Sequence, residues 1–124
     1  MEFAKVAYEP MNEVHDKEIK ILEKLLEKIE NNEDFTQEYK EFLEDVKNHF
    51  AFEEGLMQKY DFFAYIPHKM EHDKIINELE ELQNSDRQTL KKYFEERFLP
   101  WLDNHINTMD TVTAGFFNMV NAKA

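Results

Sequence analysis

Seven side chains stand out by type and spacing: His15, His49, Glu53, His68, His72, His105 and Asp110, which include all five histidines of the chain. His49 and Glu53 are four residues apart, as are His68 and His72. On a helix each pair projects from one face, about one turn apart. A His-x3-His pair presents two imidazoles to one metal ion, and His-x3-Glu adds a carboxylate able to bridge two. A single inward histidine is more often a hydrogen-bonded core residue than a ligand. All five on inward faces is another matter: the apolar face covers about a third of a bundle helix, so chance places five there well under about once in a hundred cases. A core with five imidazoles and no ion would leave many ring nitrogens unpaired, at about 1–3 kcal/mol each. Glu53 also interrupts an otherwise aromatic and aliphatic stripe. A buried lone carboxylate there shifts its pKa or demands a cation.

His105 and Asp110 fit less simply. Five residues of regular α-helix rotate a side chain by about 140°, so the two could not face one site on such a helix. A single π-helical turn realigns them, and such turns recur at functional sites. The spacing therefore predicts a widened turn or a helix end between His105 and Asp110.

The elements that must carry these residues are helices. The chain has 124 residues, with only 2 Gly and 3 Pro, and Leu, Glu and Lys recur throughout. That length suits a single domain over residues 1–124, and the composition favours helix. A short, mostly polar N-terminal arm precedes a first helix from about Asn12 to about Glu30, with the stripe His15, Ile19, Leu22, Leu26 and Ile29. Asn31-Asn32 ends it, and Asp34 is the expected N-cap of the second. The second helix shows Tyr39, Phe42, Leu43, Val46, His49, Phe50, Glu53, Leu56, Met57 and Tyr60 on one face. After an aromatic turn over residues 61–66, Pro67 suits the first position of a third helix bearing His68, His72, Ile75, Ile76, Leu79 and Leu82. Ser85-Asp86-Arg87-Gln88 reads as a capping box opening the fourth, whose stripe holds Leu90, Phe94, Phe98, Trp101, Leu102, His105 and Met109. Pro100 should kink that helix by removing the hydrogen bond to Glu96. Short connections between four amphipathic helices predict an all-α, up-down-up-down antiparallel bundle.

Composition narrows the function classes. A formal net charge of −12 disfavours nucleic acid and anionic membrane surfaces as partners. With no cysteine, disulfides, iron–sulfur clusters, thiolate zinc sites and cysteine nucleophiles are excluded. No apolar run approaches the roughly 20 residues needed to span a bilayer, and the first ten residues lack the apolar stretch of a signal peptide. The expectation is a cytoplasmic protein.

Taken in order, His15, the run His49-Phe50-x-x-Glu53-Glu54, His68-x3-His72 and His105-x4-Asp110 resemble the hemerythrin family. The run Trp101-Leu102-x-x-His105-Ile106 is similar to that of its bacterial single-domain members, and the likeness extends from about Glu13 to Asp110. The resemblance implies two non-haem iron ions. His68, His72 and His105 would bind one, and His15 and His49 the other. Glu53 and Asp110 would bridge them alongside an oxo or hydroxo group, leaving one open position on the second iron for dioxygen. It further implies that Phe50, Trp101, Leu102 and Ile106 line the ligand pocket and exclude water. The function implied is reversible dioxygen binding for storage, transport or sensing.

One position departs from the family pattern. Where an aliphatic residue usually follows the first histidine by three, this chain has Glu18, within the apolar stripe. Either Glu18 snorkels to the bundle's edge and pairs with a lysine, or it points at or near the di-iron pocket. In the second case it would favour the ferric state and relay protons. The alternative function is then a di-iron redox enzyme acting on peroxide, nitric oxide or ferrous iron, with Glu18 modifying the site.

Overall fold

The computed structural model describes residues 1–124, which form helices and no strands. The helices are α1 (Glu9–Glu30), α2 (Thr36–Lys59), α3 (Tyr65–Glu81) and a continuous α4 over residues 87–119. The fourth is composite. Regular helix over Arg87–Tyr93, Leu99–His105 and Thr111–Met119 alternates with π-helical turns over Phe94–Phe98 and Ile106–Asp110. None of these helices is long and apolar enough to cross a membrane.

Helix ends follow from local chemistry. α1 begins at Glu9, earlier than the apolar periodicity suggests, because Pro10 fits the first turn, where a missing N–H costs nothing. Asp34 caps α2 from one position further out than expected: its Oδ1 accepts from the Thr36 N–H (3.0 Å) and hydroxyl (2.8 Å), while Phe35 is the N-cap. At the start of α4 the cap is Asp86 rather than Ser85, accepting from the Thr89 N–H at 2.8 Å. Pro67 lies just inside α3, not at its first position. At the C-terminal ends Asn and Asp do the work usually given to Gly. Asn32, Asp61 and Asn121 take positive φ (59°, 53° and 54°) just beyond α1, α2 and α4. The next N–H in each case reaches back to the helix: Glu33 to Lys28 O, Phe62 to Met57 O and Ala122 to Phe117 O.

The core-facing stripes largely match the periodicity. On α1 the face is turned slightly: Glu18 and Leu25 are buried, whereas Ile19 and Leu26 flank them half-buried. In the half of the core away from the histidines, Phe42, Phe94 and Phe98 meet edge to face with ring centroids 5.3–5.8 Å apart. The N-terminal arm is less detached than its polarity suggests. The Asn12 amide pairs with both backbone groups of Val6 at 2.9 Å, and the Tyr8 hydroxyl donates to Ala122 O at 2.8 Å.

Pro100 disturbs α4 by widening it. The π-helical turn immediately before the proline carries a bond from the Leu99 N–H to Phe94 O, so the helix gains one residue per turn there and continues. Arg87 fastens the start of α4 to the end of α1 by donating to Lys28 O (3.0 Å), Ile29 O (2.7 Å) and Glu33 O (2.8 Å). Lys28 and Ile29 lie in the last turn of α1, where carbonyls run short of partners in the helix ladder, and Glu33 lies just beyond it. Arg87→Met keeps the aliphatic stem and removes the three donors, so it should cost about 2 kcal/mol in a urea unfolding titration.

Candidate metal centre

α1 contributes His15, α2 His49 and Glu53, α3 His68 and His72, and α4 His105 and Asp110. All seven side chains are buried at one level of the bundle, and Glu53 and Asp110 have no exposure at all. One ligand atom each from Glu53, His68, His72, His105 and Asp110 fall within 4.8 Å of one another, and so do those of His15, His49 and Glu53. Asp110 joins the cluster through the expected widening: the turn over Ile106–Asp110 is π-helical. Within such a turn, residues five apart stack as residues four apart do in an α-helix. The Thr111 hydroxyl donates to Ile106 O at 2.7 Å, occupying a carbonyl of the widened turn.

The two carboxylates divide their oxygens between two histidine groups. Glu53 Oε1 faces His68 Nε2 (3.4 Å) and His72 Nε2 (3.3 Å), while Oε2 faces His49 Nε2 (2.6 Å) and His15 Nε2 (3.4 Å). Asp110 Oδ1 faces His68 Nε2 (3.1 Å) and His105 Nε2 (3.2 Å), while Oδ2 faces His15 Nε2 (3.3 Å). Ligands around an ion with metal–nitrogen bonds of about 2.0–2.1 Å lie roughly 3 Å from one another, which these spacings approach. His15 Nε2, His72 Nε2, Glu53 Oε1 and both Asp110 oxygens are buried without a hydrogen-bond partner. Orphaned polar atoms converging on one point are what a cation would satisfy. The donor set, nitrogen with shared carboxylate, fits a metal centre.

The sequence matches the family model for the hemerythrin HHE cation binding domain over residues 6–116. The chain belongs to the hemerythrin family. It is 33% identical over 111 residues to a bacteriohemerythrin of Aquifex aeolicus (strain VF5), covering 84% of this chain and 85% of the relative. No solved structure matches it significantly.

Two of the four apolar positions expected at the site lie against histidines of the cluster. Phe50 stacks face to face on His72 (centroids 3.8 Å, planes 3° apart), and Trp101 on His105 (4.6 Å, 18°). Leu102 and Ile106 are buried on the same segment of α4. Behind the ligand atoms lies an outer ring of partners. His72 Nδ1 meets Glu54 Oε2 at 2.9 Å, His68 Nδ1 meets Thr113 Oγ1 at 2.9 Å, and His49 Nδ1 meets Glu18 Oε1 at 2.8 Å. A proton held on Nδ1 leaves the Nε2 lone pair for the centre. Thr113 went unnoticed in the sequence because nothing in its spacing to His68, forty-five residues away, signals contact. Glu54 stood in the recognised motif without a role. Glu18 is 1% exposed and bonded to a ligand histidine, so it does not snorkel to a lysine at the bundle's edge.

Without a metal, protons must separate the charges. Burial opposes protonation of His15 and of His68, but the adjacent carboxylates of Asp110 and Glu53 outweigh it and push both pKa values up to about 9. Burial is likewise overcome at His49, where Glu18 and Glu53 raise the pKa well above its usual value. Asp110 is pushed up by burial and by Glu53, yet contacts with His105, His15 and His68 hold it well below the carboxylate range. Since the folded pKa of His15 and His68 exceeds the unfolded value of about 6.5, their contribution to stability is full below pH 6.5 and lost as pH rises through about 9. The thermal midpoint of the metal-free protein should therefore fall between pH 7 and 10, whereas the metal-loaded protein, its imidazoles neutral ligands throughout, should show a smaller fall in the same scan.

Proposed function

We propose that this hemerythrin holds two iron ions and binds dioxygen reversibly. The observation that carries the proposal is the division of the Glu53 and Asp110 oxygens between a three-histidine and a two-histidine group. On this reading His68, His72 and His105 would hold one iron, together with Glu53 and Asp110. His15 and His49 would hold the other, with Glu53 and Asp110 shared between the two. Nitrogen donors joined by carboxylate bridges suit iron. The unequal histidine count would leave a position open on the two-histidine side, and an iron pair bound there would supply two electrons to dioxygen.

The chain's own residues favour binding over further chemistry. Phe50, Trp101, Leu102 and Ile106 are buried apolar walls that exclude water and larger anions from the cluster. Glu18 and Glu54, the acidic groups next outward, each have one oxygen engaged at the Nδ1 atom of His49 or His72. Neither hydrogen bond turns a carboxylate towards the centre as an acid or base. The same reading takes the four helices as an up-down-up-down bundle, since residues 31–35, 60–64 and 82–86 are the only connections.

Metal analysis should find two irons per chain. The anaerobic ferrous protein should develop a visible charge-transfer band on exposure to air and lose it when dioxygen is removed. Direct conversion to the ferric form, with no reversible band, would sink the oxygen-binding reading. Asp110→Ala removes one bridge and should leave fewer than two irons per chain, while circular dichroism keeps its helical signal.

A further inference from the structure

Glu18 is a fully buried carboxylate to which the proposed function gives no role at the ions. It sits on α1 one turn from His15, within an otherwise apolar face, and its Oε1 lies 2.8 Å from His49 Nδ1. A carboxylate can only accept in that bond, so Nδ1 carries a proton. On the other side of the ring Nε2 lies 2.6 Å from Glu53 Oε2, and a metal ion there would take the place of the Nε2 proton. His49 belongs to the two-histidine group, the side on which the proposed function places the open position.

The three-histidine group has a different outer ring. There His68 Nδ1 is paired with a neutral hydroxyl, that of Thr113. His72 Nδ1 is paired with Glu54, whose side chain is 16% exposed and lies 3.8 Å from Lys69 Nζ. Water and a cation thus dilute the negative charge of Glu54. Glu18 has a side chain only 2% exposed, with its charge held against the ring. Asp45 feels the same charge: burial first, then Glu18, raises its pKa, and Lys17 stands 3.6 Å from Asp45 rather than at Glu18. A full negative charge in a low-dielectric setting acts strongly on its one close partner.

We propose that Glu18 is a positioning residue that makes the two-histidine metal position the more electron-rich of the two and biases it towards the ferric state. This rests on the di-iron reading above. By drawing on the Nδ1 proton, the carboxylate raises the donor strength of Nε2 and adds negative charge near the ion. Both effects stabilise a trivalent ion more than a divalent one. An outer partner of this kind is worth about 10–100-fold in metal affinity. If that gain falls on the ferric ion alone, it lowers the one-electron potential by about 59 mV for each tenfold. The effect is specific to this chain's choice of Glu at a position where an aliphatic residue could pack.

The test compares iron-loaded wild type with Glu18→Gln and Glu18→Leu. Gln keeps the shape and a neutral acceptor, while Leu removes the bond. Iron content is measured first, then the reduction potential by mediated spectroelectrochemical titration. With two irons bound in each protein, the potential should rise from wild type to Gln and again to Leu, by about 59 mV for each tenfold of ferric affinity lost. In zinc-loaded protein, which is redox-silent, the 15N resonance of His49 Nδ1 should show the strong hydrogen bond in wild type and a weaker one in Glu18→Gln. Two irons in every variant with unchanged potentials overturns this inference and leaves the di-iron reading intact. Fewer than two irons in wild type overturns both. If Glu18→Leu does not fold, the isosteric Gln variant alone decides.

Discussion

Two carboxylates with no exposure to water, Glu53 and Asp110, lie at the centre of a ring of five imidazoles. Leaving such anions unpaired in a protein interior costs several kcal/mol each, more than any single packing contact in the bundle returns. Much of the structure near them can be understood as compensation. All five Nε2 atoms point inward, and the three Nδ1 atoms with partners are oriented from behind by Glu18, Glu54 and Thr113. Phe50 and Trp101 lie flat on two of the rings and hold them in place. The same constraint explains the widening of α4 at Ile106–Asp110, without which one of the two carboxylates would turn away.

The rest of the bundle makes such a centre affordable. An aromatic core around Phe42, Phe94 and Phe98 fills the half away from the histidines, where the buried Tyr39 hydroxyl donates to Leu79 O at 2.6 Å. Helix ends are closed by side chains and by Asn or Asp in the left-handed conformation, so few backbone groups are left to compete with the site for partners. Glu18 breaks the separation between apolar face and polar centre. It occupies a core position on α1, and its burial is tolerable because His49 meets it.

Most of the site could be read from the chain before any coordinates. Periodicities of three and four residues put every histidine and Glu53 on an inward face, and the His-x3-His and His-x3-Glu pairs needed only a helix to become a ligand set. Even the irregular turn was legible, because the five-residue interval from His105 to Asp110 conflicts with a regular helix. What local pattern determined was therefore the helices, their buried faces and the types of the central residues. The reason is that these depend on the rotation between neighbours along one helix.

Tertiary structure decided the rest. Which oxygen of Glu53 faces which histidine depends on how four helices meet, as does the pairing of Thr113 with His68 across forty-five residues of chain. The place of Glu18 shows the limit most clearly. Its helical phase put it within the apolar stripe but left open whether its long side chain would reach a lysine at the edge or point at or near the metal pocket. The packing of α1 against α2 brought His49 Nδ1 to 2.8 Å and decided for the second, with the carboxylate beside the cluster and behind His49. A buried acid goes where a donor is available, and that donor is supplied by another helix.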